Sequence, residues 1–192
     1  MLLTSIDIGI FNMATVTARV SRESVNVSSV SLDNIKVLSD SCSDPKCHFR
    51  HEHCFNDYLD HYFQLHAQTF EESDKILVER QPPRGFIVIQ ELILKQYREK
   101  VILINPSTIH KHFGIQVVDY DARKEFTIAH AWEYLKDFKA FKENSRKHDM
   151  ADAMCQLLYY NKTRPSQRVD LEYDGILGHL EFEELLGYCR MP

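Results

Sequence analysis

Four acidic side chains, far apart along the chain, are the residues whose type and setting point to chemistry. Asp7 lies inside SIDIG, within an otherwise apolar run. A carboxylate there is costly to bury unless it meets a cation or a strong donor. The plainer alternative is an edge residue facing solvent, or an Asp that caps a turn. Glu79 sits towards the end of a second apolar run, KILVER, and ligands of open α/β sheets gather outside strand ends. The most specific signal is HDMADAMCQLLYY at 148–160. Asp149 and Asp152 are three apart, so on a helix they share a face. Met150, Ala153, Met154, Leu157 and Leu158 surround them, which predicts a partly buried helix. Two close carboxylates repel, and a divalent cation is the usual remedy. In isolation, the same pair also fits two acids at the start of a surface helix. Taken together, the four make an oxygen-only set, which suits Mg²⁺ or Mn²⁺ and not Zn²⁺. Two such ions about 4 Å apart are the standard device for in-line attack on a phosphodiester, one activating water and the other stabilising the leaving oxygen.

The elements that must position these acids follow from periodicity. Residues 2–10 are apolar around Asp7, and 13–20 and 24–32 alternate, predicting three consecutive strands with a turn near Gly9 and Asn12. Residues 39–50 are polar and turn-rich, a loop. Apolar and aromatic positions from His51 to Glu72 predict an amphipathic helix. A strand over 75–80 stops at Pro82 and Pro83, a helix follows over 85–99, and a strand over 101–105. A short helix after Ser107 and helices over roughly 121–138 and 146–161 complete the order. Strands first, then helices alternating with strands, imply an α/β domain with a mixed five-stranded sheet covered on both faces. Residues 1–162 form the expected domain. The tail, 163–192, holds EFEELLGY as a segment to pack on the body or on a partner.

Bulk properties narrow the classes. The chain has 192 residues, 44% hydrophobic and 27% charged, enough for one globular domain. No run of about 18 apolar residues predicts a membrane span. The N-terminus reads as a strand and not a signal peptide. Five cysteines (Cys42, Cys47, Cys54, Cys155 and Cys189) give an odd count, which predicts reduced thiols in a cytosolic compartment. The net charge of −5 argues against nucleic-acid binding, unless the acids gather where cations offset them.

SIDIG with Asn12 and Ala14 behind it, then VERQ, then HDMADA, resembles the RuvC-type Holliday junction resolvases. VERQ, NPSTIHKHFG and the length are most similar to the poxvirus resolvases and their fungal mitochondrial relatives. The resemblance covers about residues 3–160. It implies a ribonuclease H-like fold, a homodimer, and symmetric Mg²⁺-dependent nicking of two strands at a four-way junction. The family's metal-binding acids fall on Asp7, Glu79, Asp149 and Asp152. Lys111 lies where the bacterial enzymes carry a catalytic lysine, and Lys124 in DARKEF matches a second basic position. Arg80, Arg84 and Phe86 fall where they can contact DNA, Phe86 by stacking on a base, though Phe86 equally fits the core of the next helix. His148 fits either a helix cap or a contact to the metal-bound water. By the same resemblance the protein acts in viral recombination and concatemer resolution in the cytoplasm of an infected cell, with the virion as a second location. The same four acids also serve a ribonuclease H acting on RNA–DNA hybrids, and a non-catalytic binder of branched DNA would keep the fold without the chemistry.

The segment CSDPKCHFRHEHC offers Cys42, Cys47, His48, His51, His53 and Cys54. Its spacing matches no standard zinc pattern closely. A polar loop, or a basic surface carrying Lys46 and Arg50, is the favoured reading. Trp132, and Tyr58, Tyr62 and Phe63, are expected in the core, the last three with a dimer interface as the alternative. Cys155 shows no base partner and is not read as a nucleophile.

Overall fold

The computed structural model describes residues 1–163. Its centre is a five-stranded sheet in the order β3-β2-β1-β4-β5, formed by β1 (Leu2–Ile8), β2 (Asn12–Val20), β3 (Val25–Asn34), β4 (Lys75–Glu79) and β5 (Val101–Ile104). The first three strands are an antiparallel meander, while β4 pairs with β1, and β5 with β4, in parallel. The expected mixed five-stranded α/β fold is therefore observed. The turn between β1 and β2 needs its glycine: Gly9 N–H donates to the Asn12 carbonyl at 2.9 Å, and a Cβ on Gly9 would lie 2.7 Å from that oxygen. This closes the hairpin two residues beyond Asp7.

Strand side chains alternate between two cores. Leu3 and Leu77 belong to one core with Ile109, Ala131, Phe141 and Met154. Ile6, Ile8, Ile76 and Val78 belong to the other with Tyr62, Phe70, Ile89 and Ile93. Helices α1 (Ile35–Asp40), α2 (Phe55–Leu65), α3 (Ala67–Glu72) and α4 (Ile87–Tyr97) cover the second face. Helices α5 (Pro106–Phe113), α6 (Tyr120–Leu135), α7 (Lys139–Glu143) and α8 (Lys147–Thr163) cover the first. Central strands buried on both faces explain why β1 and β4 read as nearly continuous apolar runs. α8 crosses β1 and β2 with α6 on its outer side. That sandwich buries Met150, Ala151, Ala153, Met154, Leu157 and Leu158 together.

Several elements differ from the sequence reading. The helix expected over 51–72 starts at Phe55 and breaks at His66, whose Nε2 contacts Asp33 Oδ2 at 2.8 Å. The short helices α1 and α7 were not anticipated. Trp132 is 46% exposed, not core: Thr127, Ala131 and Leu135, at four-residue spacing, take the inward line of α6, and Trp132 sits beside that line against Phe141. Tyr58, Tyr62 and Phe63 are core. No helix among the described residues is long and apolar enough to cross a membrane. α8 runs to Thr163, and the expected tail beyond it lies outside the described residues.

A hydroxyl pair pins α2 to the sheet: Tyr62 Oη and Thr15 Oγ1 are 2.5 Å apart and both residues are buried. Removing one member leaves the other without a partner, which costs about 1–2 kcal/mol. Tyr62→Phe is thus expected to lower the melting temperature by about 3–6 °C in a circular-dichroism melt, and an unchanged melt would contradict the role given to this pair.

Candidate active site

Asp7 is the penultimate residue of β1 and Glu79 the last of β4. The parallel register pairs Ser5 with Leu77 and Ile6 with Val78, so the next step along the two strands puts Asp7 level with Glu79. Neighbouring strands lie about 4.8 Å apart. Alternation puts both acids on the face of Leu3 and Leu77, the face that α8 covers. Arg146 and Lys147 lead into α8, whose first turns bring Asp149 and Asp152 to the same end of the sheet. Asp149 is buried, with Arg146 Nε at 2.7 Å from Oδ2 and His148 Nε2 at 2.9 Å from Oδ1. Asp152 is half-buried, with the Thr127 hydroxyl of α6 in hydrogen-bonding reach.

The four acids act on one another. Burial holds the Asp7 carboxyl well above the usual carboxylate range, and the charges of Asp152, Glu79 and Asp149 push it further, against a weaker opposing pull from Arg146. Burial and then Asp152 raise Glu79 to about 7. Burial also raises Asp152 to about 6, with Asp149 adding to the rise while Thr127, Lys124 and Arg123 oppose it. His148 is shifted down, by burial first and then by Lys124 and Arg146, with Asp149 opposing. Elements from both ends of the chain thus converge on one anionic centre. The arrangement is open: the set of candidate ligand atoms that all lie within 4.8 Å of one another among the described residues is a different one, of cysteine and histidine.

This donor set fits a hard divalent cation. All its ligands are oxygens, and ionising Asp7, Glu79 and Asp152 is opposed by burial and like charge, penalties that a bound cation offsets. Asp149 already accepts from Arg146, with His148 Nε2 close to its other oxygen, but a carboxylate has about four lone-pair sites, so capacity remains.

The basic residues are distributed unevenly. Lys124 on α6 has its Nζ 4.2 Å from the centre of the Tyr120 ring and, with Arg123, favours the ionised form of Asp152. Lys111 is exposed on the last turn of α5. Arg80 follows Glu79 directly and is exposed, as is Arg84 in the turn before α4. Phe86 is 37% exposed at the N-cap of α4, so it is not a core residue. The connecting loop is pinned by Gln81, whose N–H donates to Gln90 Oε1 at 2.7 Å. Sequence reasoning missed Arg146, Arg123 and Thr127. Arg146 stands three residues before Asp149, a spacing that was there to be read. Arg123 and Thr127 carry no such signal, because they reach Asp152 from another helix.

No protein-family model and no curated protein matches this sequence. Solved structures do. The fowlpox virus resolvase in complex with substrate Holliday junction DNA aligns over 86% of this chain and 99% of that one, at 17% identity and a TM-score of 0.59. RuvC of Thermus thermophilus aligns over 85% and 97%, at 14% identity and a TM-score of 0.51. The fold is that of the RuvC-type resolvases.

On this resolvase fold the acids leave a signature in stability. Asp7, Glu79 and Asp152 bind protons more tightly folded than unfolded. Their contribution is full below the unfolded carboxyl range near pH 4; it is lost for Asp152 as pH rises through about 6 and for Glu79 through about 7, with Asp7 shifted in the same direction. In chelator, the melting temperature is therefore expected to fall between about pH 5 and about pH 8. Asp7→Asn is expected to flatten that slope and raise the melting temperature at the alkaline end by about 2–5 °C. A slope unaffected by Asp7→Asn in calorimetry would mean that the four charges are not coupled.

Proposed function

We propose that the protein is a Mg²⁺-dependent, structure-specific endonuclease that resolves four-way and other branched DNA junctions by symmetric paired nicks, leaving 5′-phosphate and 3′-hydroxyl ends. The observation that carries this reading is the convergence of Asp7, Glu79, Asp149 and Asp152 at one end of a RuvC-type sheet, with burial and neighbouring charge opposing ionisation of Asp7, Glu79 and Asp152. Two neighbours in fold, the fowlpox virus and T. thermophilus enzymes, were solved with Holliday junction DNA. That supports branched DNA as the substrate here.

In this reading the four acids hold Mg²⁺, with Mn²⁺ able to substitute. When bound, the cations supply charge neutralisation on the phosphate and a more acidic water. Arg146 and His148 orient Asp149 through its two oxygens. Lys124, steered by Tyr120 and close enough to act on Asp152, is the better candidate to stabilise charge on the scissile phosphate. Lys111 is then a phosphate contact further out. Arg80, Arg84 and Phe86 rim the same end of the sheet, the arginines for phosphates and Phe86 for stacking on an unpaired base. Paired nicks need two centres, hence a homodimer. The setting we infer is recombination and concatemer resolution of a viral genome in the cytoplasm of the infected cell, with the virion as a second location. The negative net charge is compatible with DNA binding, since several acids sit where cations offset them.

A nicking assay on a synthetic four-way junction tests the proposal, with an RNA–DNA hybrid as the competing substrate. The full chain is expected to nick opposed strands with Mg²⁺ or Mn²⁺ and not in chelator. Asp152→Asn should lose at least about 10³-fold in rate, several kcal/mol of transition-state stabilisation. Lys124→Ala should lose about 10²-fold while still binding the junction, and Lys111→Ala should lose far less. Cutting confined to the RNA strand of the hybrid would instead indicate a ribonuclease H. Junction binding without cutting, indifferent to Asp152→Asn, would indicate a binding module.

Cation affinity should also depend on pH. Glu79 and Asp152 lose their protons near 7 and 6, and protons compete with the metal. The Mg²⁺ concentration for half-maximal nicking is therefore expected to fall as pH rises from about 6 to about 8. A half-saturation that does not move across that range would remove these carboxylates from the metal site.

A further inference from the structure

On the other face of the sheet, the 14-residue connection 41–54 between α1 and α2 has no regular secondary structure. Connections of that length in a compact domain usually need something to hold them. Here the loop folds back so that Cys42, Cys47 and His51 meet His61, which projects from α2. The ligand atoms of these four residues all lie within 4.8 Å of one another. His61 Nε2 is 3.6 Å from Cys47 Sγ and 3.2 Å from His51 Nε2. Cys42 and Cys47 are within hydrogen-bonding reach of each other.

These separations are those of a coordination shell. With zinc–nitrogen bonds of about 2.05 Å and zinc–sulphur bonds of about 2.3 Å, the edges of a tetrahedron are about 3.3 Å between nitrogens and about 3.6 Å between nitrogen and sulphur. The orientation of His61 agrees. Its Nδ1 lies 2.6 Å from the Asp57 carbonyl, which can only accept, so Nδ1 carries the proton and Nε2 turns its lone pair into the cluster. Fixing the remote ring nitrogen by a backbone carbonyl is how metal-binding histidines are held in the right tautomer. His61 is buried, and the Phe49 ring packs edge-on against it at 5.2 Å.

We propose that Cys42, Cys47, His51 and His61 form a structural Zn²⁺ site that ties the 41–54 loop to α2. Two thiolates and two imidazoles suit zinc and not magnesium. Four protein ligands leave no open position, which makes the site structural and not catalytic. Binding Zn²⁺ releases the two thiol protons. The spacing is Cys-x₄-Cys-x₃-His-x₉-His. Within the Cys42–Cys54 segment, His48, His53 and Cys54 fall outside the set: His53 instead pairs with Asp40 at 2.9 Å, and Cys54 is buried at the N-cap of α2. The consequence reaches the functional end of the sheet. Phe55, the first residue of α2, stacks on Phe11 of the β1–β2 turn at 6.1 Å and 22°, four residues beyond Asp7. A pinned loop therefore fixes the helix that buttresses that turn, and it fixes the exposed Lys46 and Arg50 that the loop carries.

The test is metal analysis of the full chain, made without a histidine tag and purified without chelator. About one zinc ion per chain is expected, falling to under about 0.2 in Cys47→Ser and in His61→Asn and staying near one in Cys54→Ser. Asp152→Asn should keep its zinc, so this site and the nuclease reading stand or fall separately. Should the ligand variants fail to fold, Co²⁺ added to the metal-stripped wild-type chain is a second readout, with the intense visible bands and thiolate charge-transfer band of tetrahedral S₂N₂ cobalt. Zinc removal is also expected to lower the melting temperature. Less than about 0.2 zinc per chain with no tetrahedral cobalt spectrum would overturn the proposal. So would a Cys42–Cys47 disulfide in the purified protein, seen as the loss of two free thiols.

Discussion

Like-charge repulsion inside a partly dry pocket is the constraint around which this molecule is built. Asp7 and Glu79 end adjacent parallel strands on the same face, and α8 lowers two more carboxylates onto them. For Asp7, Glu79 and Asp152 burial and neighbouring charges both oppose ionisation. These placements persist because the surrounding structure over-determines them. The β1–β2 turn is closed by Gly9, α8 is wedged between sheet and α6, and Arg146 and His148 grip Asp149. Such stored destabilisation is the mark of a group of residues kept for chemistry and not for stability.

The packing of α8 shows how local sequence and tertiary setting combine. Its buried apolar residues cover a broad arc because α8 packs on both β1–β2 and α6. The acids stand in its first two turns. α6 then supplies positive charge to the same spot, through Arg123 and Lys124. The helix that buries α8 is thus also the one that moderates its charge.

Two candidate ligand sets divide along the sheet. The oxygen-only set lies between the ends of β1 and β4 and the start of α8, and its donors suit hard cations such as Mg²⁺. The sulphur and nitrogen set lies among the helices of the other face, tied to α2. Beside the four acids, a soft-ligand set would draw zinc to them. The two sets lie on opposite faces of the sheet, and their donor types favour different ions.

Much of this was legible in the residues themselves. The alternation of β2 and β3, the acids interrupting SIDIG and KILVER, and the three-residue step from Asp149 to Asp152 determined the sheet, its burial on both faces and the candidate acids. They could do so because strand and helix periods are local properties of the backbone. The tertiary structure alone decided which lysine acts on Asp152, since the sequence put Lys111 forward as the catalytic lysine and Lys124 only as a second basic position. It also decided that Trp132 lies outside the core, because one residue of helical rotation separates it from the Ala131 line. The clearest case is His61. The cysteines and His51 sit in one short segment, but the fourth ligand arrives from a helix face ten residues on, and no one-dimensional spacing announces it. Contacts between elements depend on how helices and loops dock, which is fixed by packing across the whole sheet and not by any stretch of sequence.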